Sequence, residues 1–184
     1  MHFSKRALAA AAIGGSVAAA SVAVQAMRAR GGDAPLETVP YVDLDRYQGR
    51  WFEIARYPAR FERDCAKNTT AEYAAGTRGR IRVVNRCSTK DGRPLTACGW
   101  ATVADPETNA KLRVRFSPFM PSAPYWIFGL AEDYRYALVG EPKRRFVWML
   151  SRTPKVEEEL YRQLCAEIDS AGYDSTLLLR TIQD

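Results

Sequence analysis

Few of the residue types that carry catalysis stand in a usable arrangement in this 184-residue chain. The only histidine is His2, inside an N-terminal segment expected to be removed. That withdraws Ser-His and Cys-His nucleophilic pairs and every histidine-based metal site from the mature protein. The thiols are Cys65, Cys87, Cys98 and Cys165, and no paired carboxylates, phosphate-cradling loop or metal-ligand spacing is apparent. A cysteine-dependent isomerase would require a free, accessible thiol at the mouth of a cavity. The chain therefore reads as a binding protein, not an enzyme, with no cofactor and no metal. The remaining chemistry is aromatic and cationic. Gly49 and Trp51 open an apolar run, and Trp148 to Arg152 close another about a hundred residues later. Gly49 permits a close backbone approach, Trp51 can plug one end of a sheet closed on itself, and Arg152 can stack on that indole. Such a cation–π contact is worth roughly 0.5–2 kcal/mol.

The elements that would position these groups are strands. Period-two alternation between turn signals predicts eight of them, at about 50–58, 69–75, 80–87, 95–104, 111–117, 124–131, 135–141 and 145–151. Turn-forming residues separate them, as in 76–79, 90–94, 105–109 and 141–144. Eight strands suit an all-β, antiparallel up-and-down barrel around one small ligand. After the last strand, Thr153 reads as an N-cap and Pro154 as the first helical position. Glu157, Glu158 and Glu159 follow in the first turn, and Gly172 stands at the end. Val156, Leu160, Leu164 and Ile168 form an apolar stripe, which Phe52, Ile54, Val147 and Met149 on the outer face of the first and eighth strands would cover. The helix is thus expected to pack on the outside of the barrel.

The segments Trp51-Phe-Glu-Ile-Ala-Arg56, Phe119-Met-Pro-Ser-Ala-Pro-Tyr-Trp126, Asp133-Tyr-Arg-Tyr-Ala-Leu-Val139 and Trp148-Met-Leu-Ser-Arg-Thr-Pro154 resemble the signature regions of the lipocalin family, in particular its bacterial and apolipoprotein D-like branch. The likeness runs from about residue 44 to residue 182. It implies carriage of a small hydrophobic ligand, of fatty acid or lysophospholipid type, in an apolar cavity. The alternative from another class is a membrane-associated structural or stress-response protein acting through its surface.

With Trp51 at the floor, the 59–68, 88–94, 118–123 and 141–144 loops gather at the opposite end, the mouth. Inward positions by alternation include Ala55, Tyr57, Tyr73, Val83, Gly99, Val114, Phe116, Tyr125, Ile127 and Trp148, and such an apolar lining suits a ligand pocket. The expected ligand contacts are Trp148, Tyr125, Phe116, Tyr57, Tyr73, Val83, Val114 and Ile127. The resemblance adds weight to Trp148, which matches a pocket tryptophan of the apolipoprotein D-like branch, and to Tyr125, which falls where bacterial relatives place a tyrosine near the ligand. Gly49, Trp51 and Arg152 are expected to be structural closure. Glu53, also inward, needs a partner or would be neutralised.

Four cysteines allow three full connectivities. In a hairpin turning near residues 77–78, Cys65 and Cys87 fall almost opposite one another on the inner face, within disulfide reach. Cys98 has outward parity and Cys165 lies on the helix, so these two are expected not to join. The predicted bond is Cys65–Cys87.

Lys5 and Arg6 precede an Ala/Val-rich run ending at Val24-Gln25-Ala26, the pattern of a signal peptide spanning residues 1–26, with an uncleaved anchor as the alternative. Residues 27–40 read as a flexible lead-in and 41–184 as the domain. Export to the periplasm or outer membrane is expected, without an N-terminal lipobox, since no cysteine precedes Cys65. Loss of Lys5 and Arg6 from 27 basic residues leaves 25 against 21 acidic ones, a net charge of +4. That suits a solvated basic surface or contact with anionic headgroups. No nucleic-acid motif accompanies it. The expected oligomeric state is a monomer or weak homodimer.

Overall fold

The computed structural model describes residues 34–184; the segment expected to be a signal peptide, His2 and the first part of the expected lead-in lie outside the described residues. Eight antiparallel strands close into a barrel. They are β1 (Gly49–Arg56), β2 (Lys67–Ala75), β3 (Ile81–Ser88), β4 (Pro94–Val103), β5 (Lys111–Arg115), β6 (Ala123–Leu130), β7 (Tyr136–Gly140) and β8 (Val147–Ser151). Each pairs with its sequence neighbour, and β1 pairs with both β8 and β2, which completes the closure. A short helix α1 (Leu44–Tyr47) precedes the barrel, while helix α2 (Glu158–Ser170) and a two-residue strand β9 (Leu179–Arg180) follow it. All eight predicted strands are present.

Closure ends halfway along β1. The β1–β2 ladder runs only from Gly49↔Tyr73 to Phe52↔Thr70, and above it the two strands part. The C-terminal segment enters this gap. β9 pairs with β1 at Ala55 and Arg56, and Ile182 bridges to Lys67. The Gln183 amide donates to the carbonyls of both Glu53 and Thr69, which ties the two edges together. Backbone carbonyls and amides that the splayed strands would leave unpaired are satisfied this way, the Asn68 amide by the Ile182 carbonyl.

Two apolar cores lie on either side of the sheet. Inside the barrel, Trp51, Tyr47, Tyr73, Val83, Ala101, Leu112, Ile127 and Leu150 pack together. Outside, Leu164 and Ile168 of α2 bury against Ile54, Ala55, Leu138, Val147 and Met149, with Phe52, Val156 and Leu160 at the margin. Glu158 and Glu159 occupy the first turn of α2, and Gly172 follows its end with φ +86°. The helix begins later than Thr153-Pro154 predicts. Thr153 donates instead to the Lys155 carbonyl and engages Ser151 Oγ, holding a turn, and Glu157 takes the N-cap position. The hydroxyl that would cap a helix is consumed by that turn.

Residues 34–40 also depart from the flexible lead-in expected of them. Leu36 is buried in the outer core, Val39 N donates to the Ile127 carbonyl, and Arg144 reaches the Ala34 carbonyl.

Candidate functional site

The floor of the barrel is built from α1 and the start of β1. Asp43 caps α1 by accepting from the amides of Asp45 and Arg46. Tyr47 then lies against Trp51, with ring centroids 4.9 Å apart, and Trp51 Nε1 donates to the Tyr47 carbonyl. The Arg152 guanidinium stands 3.8 Å from the Trp51 ring centroid and donates to the carbonyls of Arg46, Arg50 and Tyr134. Gly49 has φ +91°, and a Cβ there would meet Arg152 Nη1 at 3.4 Å, so its small size and left-handed backbone both serve this stack.

Above the floor lies a layer of three tyrosines. Tyr125 Oη is 2.7 Å from Tyr47 Oη and 2.8 Å from Tyr73 Oη. Burial pushes all three phenols above their ordinary value, Tyr73 to about 12, so each stays protonated and can serve as donor. Tyr125 thus reaches down towards the floor, although its position early in β6 suggests the mouth. Val83, Leu112, Val114 and Ile127 complete the packed lower wall.

The upper barrel differs. Leu95, Ala97, Phe116 and Ala123 carry inward parity through pairing with Cys87, Asn85 and Val114 and through the Leu112, Val114, Phe116 alternation, yet all four are exposed, Leu95 by 39% and Phe116 by 42%. Inward side chains are exposed only where solvent enters, so the barrel is open on the β4–β6 side. Gly99 lets β5 and the Phe116 ring lie close against β4: a Cβ there would meet the Arg115 carbonyl at 2.4 Å and the Phe116 ring at 2.9 Å.

On the β1 side the mouth carries charge. A β-bulge between Glu53 and Ala55 inserts Ile54 and flips every later residue of β1 to the opposite face. Ala55 and Tyr57, expected inward, therefore face outward. Tyr57 packs edge-on to Tyr173 and exchanges hydrogen bonds with the Asp174 backbone, which removes it from the ligand contacts. Arg56 takes the inner face, paired with Trp148. Its Nε lies 3.2 Å from Glu53 Oε1 and 3.0 Å from Glu62 Oε2, and Glu62 Oε1 accepts from Trp148 Nε1 at 3.3 Å. Glu53 is 3% exposed and accepts from Thr181 Oγ1 at 2.5 Å. Burial, then the neighbouring Glu62, pushes its carboxyl up to about 7. Burial likewise raises Glu62. A cleft of about 260 Å³ opens beside this cluster, lined by Glu53, Arg56, Cys65, Thr69 and Thr181.

Glu62 belongs to a 3-10 turn, Arg60–Glu62, whose base is fixed by the Cys65–Cys87 disulfide. That bond closes a loop of sequence separation 22, worth about 3 kcal/mol. Cys98 is free and exposed on the outer face, and Cys165 is free and partly covered on α2. Among the described residues no cluster of His, Cys, Asp and Glu is placed to hold a metal ion.

Sequence reasoning missed Tyr47, Asn85, Arg56 and Glu62. Asn85 was accessible to it, because Val83, Asn85 and Cys87 alternate on one face of β3; its Oδ1 is buried with no hydrogen-bond partner. Arg56 was not, since an inserted residue leaves no trace in the alternation of Trp51, Glu53, Ala55 and Tyr57.

A family model described as a lipocalin-like domain matches residues 42–183, from the start of the floor to the C-terminal plug. The chain belongs to the lipocalin family. Lipocalins bind small hydrophobic ligands and are generally binding and transport proteins. The chain is 39% identical over 155 residues to temperature-induced lipocalin-1 of Arabidopsis thaliana, covering 80% of this chain and 83% of that protein. It is 37% identical over 134 residues to the outer membrane lipoprotein Blc of Escherichia coli K12, covering 72% and 74%. To apolipoprotein D of Mus musculus it is 37% identical over 150 residues, covering 77% of each. Insecticyanin of the tobacco hornworm Manduca sexta shares the lipocalin fold, with TM-score 0.64 and 20% identity over 80% of this chain and 84% of that one. Lobster apocrustacyanin A1 does so with TM-score 0.61 and 18% identity, covering 76% and 79%.

Proposed function

We propose that this lipocalin takes up and carries single-chain lipids, fatty acids or lysophospholipids, outside the cytoplasm, with the acyl chain in the upper barrel and the polar group at the mouth. The observation that carries this reading is the contrast inside one barrel. The lower wall is packed around Trp51 and the tyrosine layer, whereas Leu95, Ala97, Phe116 and Ala123 face inward and remain exposed. At about 25 cal/mol per Å², burial of a few hundred Å² of acyl chain supplies several kcal/mol, enough for micromolar affinity. Phe116 and Trp148 remain proposed contacts along the chain, the packed layer of Tyr73, Val83, Val114, Tyr125 and Ile127 would meet only its buried end, and Tyr57 does not line the cavity.

The rim favours exchange with a membrane surface. Phe119 is 95% exposed, and Phe61 and Met120 are also exposed on loops of the mouth end, with the basic residues Arg60, Arg63, Lys90 and Arg93 on neighbouring mouth loops. Apolar and basic side chains together suit an anionic bilayer surface. Export is supported by the N-terminal pattern and by similarity to an outer membrane lipoprotein. The test is titration of the delipidated, oxidised protein with oleate and lysophospholipids by tryptophan fluorescence. A saturable change that is lost in Trp148→Ala, with circular dichroism unaltered, is the expected result. No saturable response to any of these lipids would overturn the reading.

A further inference from the structure

Resting on the lipid-binding reading, a further assignment concerns the charges at the mouth. We propose that Arg56 is the anion-recognition residue of the cavity and that Glu62 occupies it in the ligand-free protein as an internal stand-in for a lipid carboxylate or phosphate. An anionic single-chain lipid then binds by displacing Glu62, and the 60–64 turn swings away from Trp148.

The bulge at Ile54 is what brings a guanidinium to the inner face, beside Trp148 at the top of the wall that would hold the chain. A side chain as costly to desolvate as Arg56 needs a charged partner there. The partner supplied by the lid fits poorly. Arg56 Nε and Glu62 Oε2 are 3.0 Å apart, yet both atoms are buried without an aligned hydrogen bond. A free headgroup, unconstrained by the lid backbone, can align its oxygens with the guanidinium, and aligned charge-assisted bonds are the stronger kind.

Little else of this turn is buried. Phe61 is 67% exposed, Arg63 and Asp64 are exposed, and Arg60 is exposed. Glu62 contributes the turn's polar contacts to the barrel wall: Oε1 to Trp148, Oε2 to Arg56, and its carbonyl to Arg56 Nη2 at 3.5 Å. Phe61 adds loose ring contacts to Phe146 and Trp148 at 5.5 and 6.5 Å.

Charge balance makes binding competitive rather than additive. Glu53 and Glu62 already flank one guanidinium, so a third anion requires that Glu62 leave. The adjacent cleft of about 260 Å³ provides room for a headgroup next to Arg56.

The test compares oleate, oleoyl lysophosphatidic acid and the neutral monoolein on the full, oxidised chain. Glu62→Gln removes the competitor and is expected to tighten binding of the two anionic lipids about tenfold while leaving monoolein within about twofold. The double variant Arg56→Met, Glu62→Met leaves no orphaned partner between these two and is expected to lose the preference for anionic lipids while still binding monoolein. The larger of the two anionic responses identifies carboxylate or phosphate as the preferred group. If all three lipids bind the wild type and both variants keep its ratio of anionic to neutral affinity, Arg56 is not the anion site. If the wild type binds none of the three, the lipid-binding reading falls and this assignment falls with it.

Discussion

Arg152 stands directly over Trp51, its guanidinium carbon 3.8 Å from the ring centroid, while its nitrogens hold the carbonyls of Arg46, Arg50 and Tyr134. One side chain thereby joins α1, β1, the β6–β7 turn and the end of β8. Arg152→Met keeps most of the apolar stem but forfeits the stack and three hydrogen bonds to carbonyls. The expected loss is about 2–4 kcal/mol of unfolding free energy, read by chemical denaturation. Arg152→Lys, which keeps the charge without the planar fork, should recover only part of it.

Glu53 gives stability a pH dependence of unusual sign. Its carboxyl is raised from the ordinary 4.5 to about 7 by burial and by Glu62, so between these values the folded protein binds more protons than the unfolded chain. Stability from this group is therefore greatest below about 4.5 and declines as pH rises towards about 7. Glu62, also raised by burial, acts in the same direction. Glu53→Gln cannot titrate. Its unfolding free energy should lose most of the decline seen in the wild type across this window, a difference on the order of 2 kcal/mol. Parallel pH profiles for the two proteins would contradict the buried-carboxyl account.

Gly140 fixes how closely the outer segment lies on the barrel. A Cβ at this position would fall 2.0 Å from the Tyr173 hydroxyl, and that ring stacks on Phe128 and bonds to the Glu141 backbone. Gly140→Ala should cost about 1–3 kcal/mol by forcing Tyr173 out of its place. Gly140→Ala combined with Tyr173→Phe, which trims the clashing oxygen, should lose less than the sum of the two single changes.

Ala97 tests the openness of the upper barrel. It faces inward opposite Asn85 and is exposed, so a large side chain meets space rather than packed atoms. Ala97→Trp should leave stability within about 0.5 kcal/mol of wild type and weaken lipid binding at least about tenfold. The same change in a filled core would be strongly destabilising, which a melting curve distinguishes.

Much of the architecture was legible because period-two alternation and turn residues are local signals. Eight strands, the Cys65–Cys87 disulfide and the outward Phe52, Val147 and Met149 all follow from parity. What parity cannot register is an inserted residue. The bulge at Ile54 exchanges Ala55 and Tyr57 for Arg56 on the inner face, and its advantage is tertiary: Ala55 fits beneath α2, and Tyr57 secures Asp174. Thr153 likewise carries an N-cap signature that a turn at Ser151 and Lys155 claims first. The charged part of the candidate site was hidden for this reason, whereas its apolar lining was visible.

The most direct test of lipid carriage is calorimetric titration of the delipidated, disulfide-intact protein with oleoyl lysophosphatidic acid at several temperatures. One molecule bound per chain, at micromolar affinity and with a negative heat-capacity change from apolar burial, is the predicted result. Heats that do not saturate, or saturable binding without a heat-capacity change, would contradict burial of an acyl chain in the barrel.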